Sequence, residues 1–493
     1  MKGLWICLVV FLFLVGACAP VGPNYRRPES PVPTRFGSLE KGVTSEDRPG
    51  LVLLSSWWKV LEDPILNALM ERAVRGNLDL RVAEARVQQA RALSMVSEAR
   101  GLPEGGFTGS YDWNRSTESG ASGRLSSGSG TSAPSLASSN RNYNFFLLGF
   151  DAAWEVDIFG GIRREIEAAQ ADLAAAEDSL RDTLVTLQGE VARNYILYRG
   201  LQLRLDIARE EVKTRRESVE IAEARLQAGL VNELGVSRIR GDLASAEAAI
   251  PFLEISLLET LHRLGILLGQ EPMNLQTELS RTVPLPRIPD ELPAGLPSDL
   301  LRRRPDIRRA ERELAAATAR IGVSTAELFP RFSLAGTFGF QNDKLDGLLS
   351  GGSNFWRIGP NIRWPIVNFK RILANIEASR AVEEETLARY ERSVLLSLEE
   401  VENALVRLAR EKRRIESLTA AVRSNDLAVQ LAMERYVAGV ESYLAVIDAE
   451  SALYTAQDQL AQSQQNHVLG FVSLYKALGG GWLESDIVAS NSE

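Results

Sequence analysis

The chain has 493 residues, 45% hydrophobic and 24% charged, with a formal net charge of −8 and an isoelectric point near 5.3. An acidic chain is a poor match for a phosphate backbone, so nucleic acid is not expected among its partners. With Cys7 and Cys18 as the cysteines and His262 and His467 as the histidines, neither a disulfide framework nor a Cys/His metal cluster can be assembled, and no cofactor is expected.

Residues 1–17 read as a signal peptide: Lys2 is basic, Leu4 to Val15 is apolar, and small Gly16 and Ala17 precede Cys18. LVGAC resembles a bacterial lipobox, in which Cys18 becomes the lipidated first residue of the mature chain, acylated by palmitate-type chains. An ordinary signal peptide that leaves Cys18 as a free thiol is the alternative. Each buried methylene of an acyl chain contributes about 0.8 kcal/mol of anchoring. Ala19 follows the cysteine, and the resemblance implies that no aspartate there retains the lipoprotein in the inner membrane. Residues 18–56 would form an extended, lipid-anchored segment.

The rest of the chain states one plan twice. Repeat 1 is expected over 57–282, with a helix from about Ile65 to Arg100, strands at about 104–116 and 142–157, a long helix at about 160–228 and a return helix at about 232–269. The strands are separated by SGASGRLSSGSGTSAPSLASSN, too poor in apolar residues to fold alone. A proline-punctuated connector, 283–297, cannot continue a helix. Repeat 2 follows over 298–480, with a helix, strands at about 329–341 and 353–367, a long helix at about 370–438 and a return helix at about 442–478. Residues 481–493 form a tail. The duplication shows in NLDLRVAEARVQQARA from Asn77 against RPDIRRAERELAAATA from Arg304, 227 positions on. A second register, offset by 210, joins Gly149 to Gly359, Trp154 to Trp364 and Gly269 to Gly479.

The strands alternate with a period of two: Phe332, Leu334, Gly336, Phe338 and Phe340, then Trp356, Ile358, Pro360, Ile362 and Trp364. A half-buried soluble sheet would also alternate. The long helices carry apolar residues at threes and fours, including Leu180, Leu184, Leu187, Val191, Tyr195 and Tyr198, and at about 1.5 Å per residue each reaches roughly 100 Å. Such a rod packs as a coiled coil. No apolar run after residue 17 is long enough for a transmembrane helix, so a membrane span would have to be a closed barrel. Four strands leave two open edges, and closure then requires several chains. The expected fold is mostly α with a small β part.

The long-to-return transitions repeat too. RLQAGLVNELGVSRI from Arg225 and RYVAGVESYLAVIDA from Arg435 place Gly229 opposite Gly439, and Asn232 opposite Ser442. The glycines suit helix C-caps, and Asn232 and Ser442 suit N-caps of the returning helices.

Taken together, CAPVGPNYRRPESPVP, WWKVLEDPILNAL, WEVDIFGGIRR, RRPDIRRAE and LFPRFSLAG, in that order, resemble the lipoprotein branch of the outer membrane factor family, the TolC and OprM type. The resemblance covers essentially the whole mature chain. It implies a homotrimer with a shared 12-stranded barrel in the outer membrane of a Gram-negative bacterium, continued by a periplasmic helical tunnel. It also implies the exit duct of a tripartite efflux pump, completed by a periplasmic adaptor and an inner-membrane transporter of the RND type. By that match Leu444 and Asp448 would form an apolar and an acidic constriction ring, or merely finish the hairpin packing. Arg225, Gly229, Asn232, Arg435, Gly439 and Ser442 would shape the hairpin tips that meet the adaptor. Two alternatives stay open: the outer-membrane component of a type I protein secretion system, and a periplasmic coiled-coil scaffold or adaptor. Catalytic motifs are absent from the sequence, and no enzymatic activity is expected.

Overall fold

The computed structural model describes residues 20–29, 32–38, 43–44, 55–115, 142–289, 292–293 and 297–482. Cys18, the signal peptide, the Ser/Gly-rich loop and the tail beyond residue 482 lie outside the described residues. The chain divides into two compact units. Helices are numbered α1 (Pro64–Gly76), α2 (Leu78–Ala99), α3 (Gly161–Gln227), α4 (Glu233–Leu267), α5 (Gln276–Leu279), α6 (Pro297–Arg303), α7 (Pro305–Ala326), α8 (Phe369–Val437) and α9 (Tyr443–Ala477). The longer strands are β1 (Glu104–Arg115), β2 (Asn142–Val156), β3 (Arg331–Asn342) and β4 (Asn354–Arg363).

The first unit joins residues of the N-terminal segment up to Arg26 with 89–173 and 313–386. Its sheet is antiparallel throughout, in the order β1-β2-β3-β4. Register places Phe107, Phe150, Phe338 and Trp356 in one row across all four strands, and all four side chains are exposed. The opposite face carries small and polar groups, such as the row Gly106, Asp151, Thr337 and Arg357. Alternation therefore separates an apolar face from a polar one, and the apolar face is as bare as the polar one. At the β2–β3 contact Gly149 pairs with Gly339, where a Cβ on Gly339 would meet the Leu148 carbonyl oxygen at 2.6 Å. Among the described residues nothing pairs with the outer edges of β1 and β4.

The expectation of a strand reaching 367 is corrected: β4 stops at Arg363. Pro365 has no N–H to donate to a ladder, and the Ile366 N–H turns back to the Trp364 carbonyl at 3.0 Å. Just beyond or within the strand ends, Trp154 donates its indole N–H to the Gly101 carbonyl (3.0 Å) and Trp364 donates to that of Leu328 (3.1 Å). These two bonds occupy equivalent places in the two repeats. The N-terminal arm is tied down here as well, because buried Arg164 donates to the Val21 carbonyl (3.1 Å) and to Asn24 Oδ1 (2.6 Å).

The second unit comprises 27–88, 174–312 and 387–493. Its main core gathers Trp57, Leu66, Leu69 and Met70 with Val191, Tyr195 and Ile196 of α3, Val401 and Leu405 of α8, and Phe471 and Tyr475 of α9. Trp57 stacks on Tyr475 with ring centroids 5.7 Å apart. Tyr195 donates its hydroxyl to Asp63 Oδ2 (2.6 Å) while Asp63 Oδ1 caps α1 at the Ile65 and Leu66 N–H groups. Along α3 the stripe is deepest at Val191 and Tyr195, whereas Leu184 is half-buried and its neighbour Val185 is buried.

The single helix expected from Ile65 to Arg100 is two helices broken at Asn77. Asn77 leaves the helical region (φ −67°, ψ 130°), accepts the Leu80 N–H on Oδ1 (2.9 Å) and donates Nδ2–H to the Leu267 carbonyl (2.9 Å). Its counterpart Arg304 donates to the Ala477 carbonyl at 2.9 Å. Both donors satisfy carbonyls that the ends of α4 and α9 leave open.

Candidate functional site

The glycine-centred turns that join α3 to α4 and α8 to α9, and the return helices that follow them, lie in the second unit. Gly229 and Gly439 take φ values of +72° and +73°, a left-handed conformation that costs residues with a Cβ about 1–2 kcal/mol. Each forms the paired bonds of a Schellman cap: Gly229 N–H to Leu226 O with Leu230 N–H to Arg225 O, and Gly439 N–H to Tyr436 O with Val440 N–H to Arg435 O, all between 2.9 and 3.0 Å. A Cβ at either glycine would touch nothing within 4 Å, so backbone conformation alone selects glycine here.

The caps differ. Asn232 Oδ1 accepts the Gly235 N–H at 3.0 Å and caps α4. Ser442 occupies the N-cap position of α9, but its side chain makes no capping bond, which corrects the expectation of two matched caps. The second turn is held instead by rings and charge. The Arg225 guanidinium lies 4.3 Å above the Tyr436 ring, Tyr436 packs on Tyr443 at 4.8 Å, and Arg435 pairs with Glu441 at 3.5 Å. Tyr443 also donates to Ser218 Oγ at 2.7 Å, joining α9 to α3.

Behind the tips, Ala222, Val236, Ile239 and Ile447 form a small buried cluster with Leu226, Val231, Tyr443 and Leu444 packed against it. Leu444 is thus half-buried within one chain, while its counterpart Leu234 is 77% exposed. Asp448 is exposed and pairs with Arg238 at 3.4 Å, its own positional equivalent in the other hairpin. A pair so open to water contributes well under 1 kcal/mol.

One group escaped sequence reasoning. Glu450 is buried beside Arg215, which is itself engaged by Glu211 at 2.7 Å, and one Glu450 carboxylate oxygen, Oε2, has no hydrogen-bond partner. Burial pushes its pKa up to about 6; Arg215 opposes the shift and Glu217 adds to it. Tyr454, bonded to Thr214 at 2.7 Å, continues the same seam. The signal was available: Tyr443, Ile447, Glu450 and Tyr454 recur at the three-and-four spacing of a packed stripe, and the first repeat carries Arg240 where Glu450 stands. Arg240 is half-exposed and bonds Glu223 at 2.7 Å. Among the described residues no group of three or more His, Cys, Asp or Glu side chains could hold a metal ion, and no helix is long and apolar enough to cross a membrane.

A family model described as outer membrane efflux protein matches residues 69–270 and 296–480. The chain is 32% identical over 473 residues to the solvent efflux pump outer membrane protein SrpC of Pseudomonas putida, covering 96% of this chain and 97% of that one. Over 472 residues it is 31% identical to nodulation protein T of Rhizobium leguminosarum bv. trifolii, covering 96% of each. Among solved structures, the outer-membrane channel OprN superimposes with a TM-score of 0.84 at 36% identity, over 94% of this chain and 100% of that one.

Proposed function

The chain belongs to the outer membrane efflux protein family, and from that premise we propose that three copies form the exit duct of a tripartite efflux pump. Its fold is that of the outer-membrane efflux channels, mostly helical with a small sheet part. The observation that carries the trimer is the four-stranded sheet: it bares an aromatic row on one face and leaves β1 and β4 with open edges. In lipid every backbone N–H and C=O must be paired, so such a sheet is stable only when its edges meet those of other copies. Three copies give twelve strands, a size within the range of outer-membrane barrels. The bare apolar face then meets lipid, and the polar face lines a water-filled bore.

The hairpin tips meet a periplasmic adaptor that couples the duct to an inner-membrane transporter of the RND type. Arg225, Gly229, Asn232, Arg435, Gly439 and Ser442 shape that contact. Leu444 and Asp448 line the closed mouth, the leucine by disfavouring water and the aspartate by drawing cations. Cys18 carries the lipid that tethers the chain to the outer membrane. The duct itself does no covalent chemistry; the transporter supplies the work.

Planar bilayers test the proposal directly. Protein extracted from outer membranes should run as a trimer and give discrete single-channel steps, and deleting the gene should raise susceptibility to pump cargo. Soluble, elongated monomers without conductance would leave the scaffold alternative in its place. Incorporation of radiolabelled palmitate by the wild type and not by Cys18→Ser checks the anchor.

A further inference from the structure

A cavity of about 440 Å³ opens in the second unit between α3, α8 and α9. On α3, Val191 and Tyr195 face the main core while Glu190, Arg193 and Leu197 line the cavity; on α9, Val472 belongs to the core and borders the cavity as well. Three cations converge on it, Arg193 of α3, Arg407 of α8 and Lys476 of α9, against Glu190 as the one lining carboxylate. Glu190 lies 3.8 Å from Arg193. Among the described residues no carboxylate reaches ion-pair distance of Arg407 or Lys476. Asp182 feels the charge of Lys476 but is engaged by Arg309 at 3.1 Å. The Lys476 stem packs over Gly189, where a Cβ would sit 3.0 Å from its Cδ; the missing side chain makes room for it.

The floor is different in character. Leu197 and Leu469 supply apolar surface, and Gln465 lines the wall while its side-chain oxygen packs against the backbone at Gly200. Cations left without carboxylates around an apolar floor match a ligand carrying negative charge and a hydrocarbon body. We propose that this cavity binds organic anions with an apolar or aromatic body. As a statement about binding this stands on the cavity alone; as a statement about which solutes the duct handles, it rests on the exit-duct reading.

The test uses the purified full-length protein and two pyrene probes of opposite charge, 1-pyrenesulfonate and (1-pyrenylmethyl)trimethylammonium. Fluorescence titration should give saturable binding of the sulfonate, weakening as salt rises. The double variant Arg407→Met, Lys476→Met should raise its Kd by roughly tenfold or more. Methionine keeps the methylene stems, so assembly is preserved and is checked by size exclusion. Glu190→Gln should tighten sulfonate binding, and Lys476→Arg should keep it. Equal binding of the two probes, unchanged sulfonate affinity in the double variant, or no wild-type binding would each overturn the proposal. Single-channel conductance of the same wild-type preparation reports separately on the duct, so failure of the cavity and failure of the duct give different patterns.

Discussion

The two hairpin tips share a backbone and not a chemistry. Gly229 and Gly439 agree in φ to within a degree and close the same pair of hydrogen bonds, yet several side chains around them have diverged in charge and burial. One tip is capped by Asn232, exposes Leu234 and presents Arg238 and Arg240. Its counterpart lacks the side-chain cap, half-buries Leu444, presents Asp448 and buries Glu450. Charge is reversed at both positions, and the reversal lets the copies bind each other through Arg238 and Asp448. Duplication fixes the course of the chain cheaply, through a few dihedral requirements. It leaves the surface free to specialise.

The largest effect expected from disturbing this arrangement is at the glycines. Valine at either position forces a β-branched residue to positive φ, which should cost about 2 kcal/mol or more. Because nothing crowds either Cβ, Gly229→Val and Gly439→Val should lower Tm equally; unequal losses would show that the two turns differ in more than side chains. If the second tip alone controls the mouth, Gly439→Val should also be the stronger blow to drug resistance in a complementation assay, without opening the channel.

Next comes the leucine pair. Leu444→Ser removes half-buried apolar surface and should cost about 1–2 kcal/mol, whereas Leu234→Ser, at an exposed site, should be nearly neutral. Resting conductance in bilayers should rise for Leu444→Ser and stay at the wild-type level for Leu234→Ser. A rise in both, or in neither, would place the constriction elsewhere.

Glu450 is the site where pH enters. Its folded pKa of about 6 lies above the ordinary 4.5, so the folded state binds the proton more tightly. Its carboxylate therefore burdens the seam above pH 6, and that burden is lifted as pH falls from about 6 to about 4.5. Glu450→Gln should stabilise the protein at pH 7.5 by about 1 kcal/mol, the full shift being worth about 2 and solvent screening removing part of it. The gain should vanish near pH 4.5. A variant no more stable than wild type at pH 7.5 would mean that Arg215 compensates the buried charge fully. The smallest effects on stability belong to Arg238→Ala and Asp448→Ala, each below about 1 kcal/mol. Their value lies in opposite signs: losing Asp448 should weaken cation selectivity at low salt, and losing Arg238 should strengthen it.

Elements whose physics is periodic were legible in the sequence. Alternation in Phe332 to Phe340 and in Trp356 to Ile362 placed the strands, and the three-and-four recurrence placed the long helices close to where they lie. The misses came where one residue's partners decide the outcome. Asn77 breaks a run of good helix formers because its side chain meets the Leu267 carbonyl, a partner 190 residues away. Pro365 ends β4 early because the chain turns at Trp364. At the tips the glycines and caps were readable from composition, but that Ser442 would leave its position unfilled and that Asp448 would meet Arg238 depends on how two distant hairpins lie side by side. Glu450 shows the limit most plainly. A glutamate on a helix reads as solvated until the stripe it belongs to is known to be packed.

The unpaired edges of β1 and β4 bear on the protein's life before it reaches the membrane. Among the described residues two strand borders have nothing to bond to and a row of aromatic rings is bare, so a copy that folded before meeting others would carry both into water. Each such copy is a template for the wrong neighbour as much as for the right one. Its survival depends on how fast it meets two siblings relative to how fast it meets a protease or a clump of its own kind. Biogenesis is then a race whose outcome scales steeply with expression, and a cell that makes too little of this chain loses more than a proportionate share of working pores.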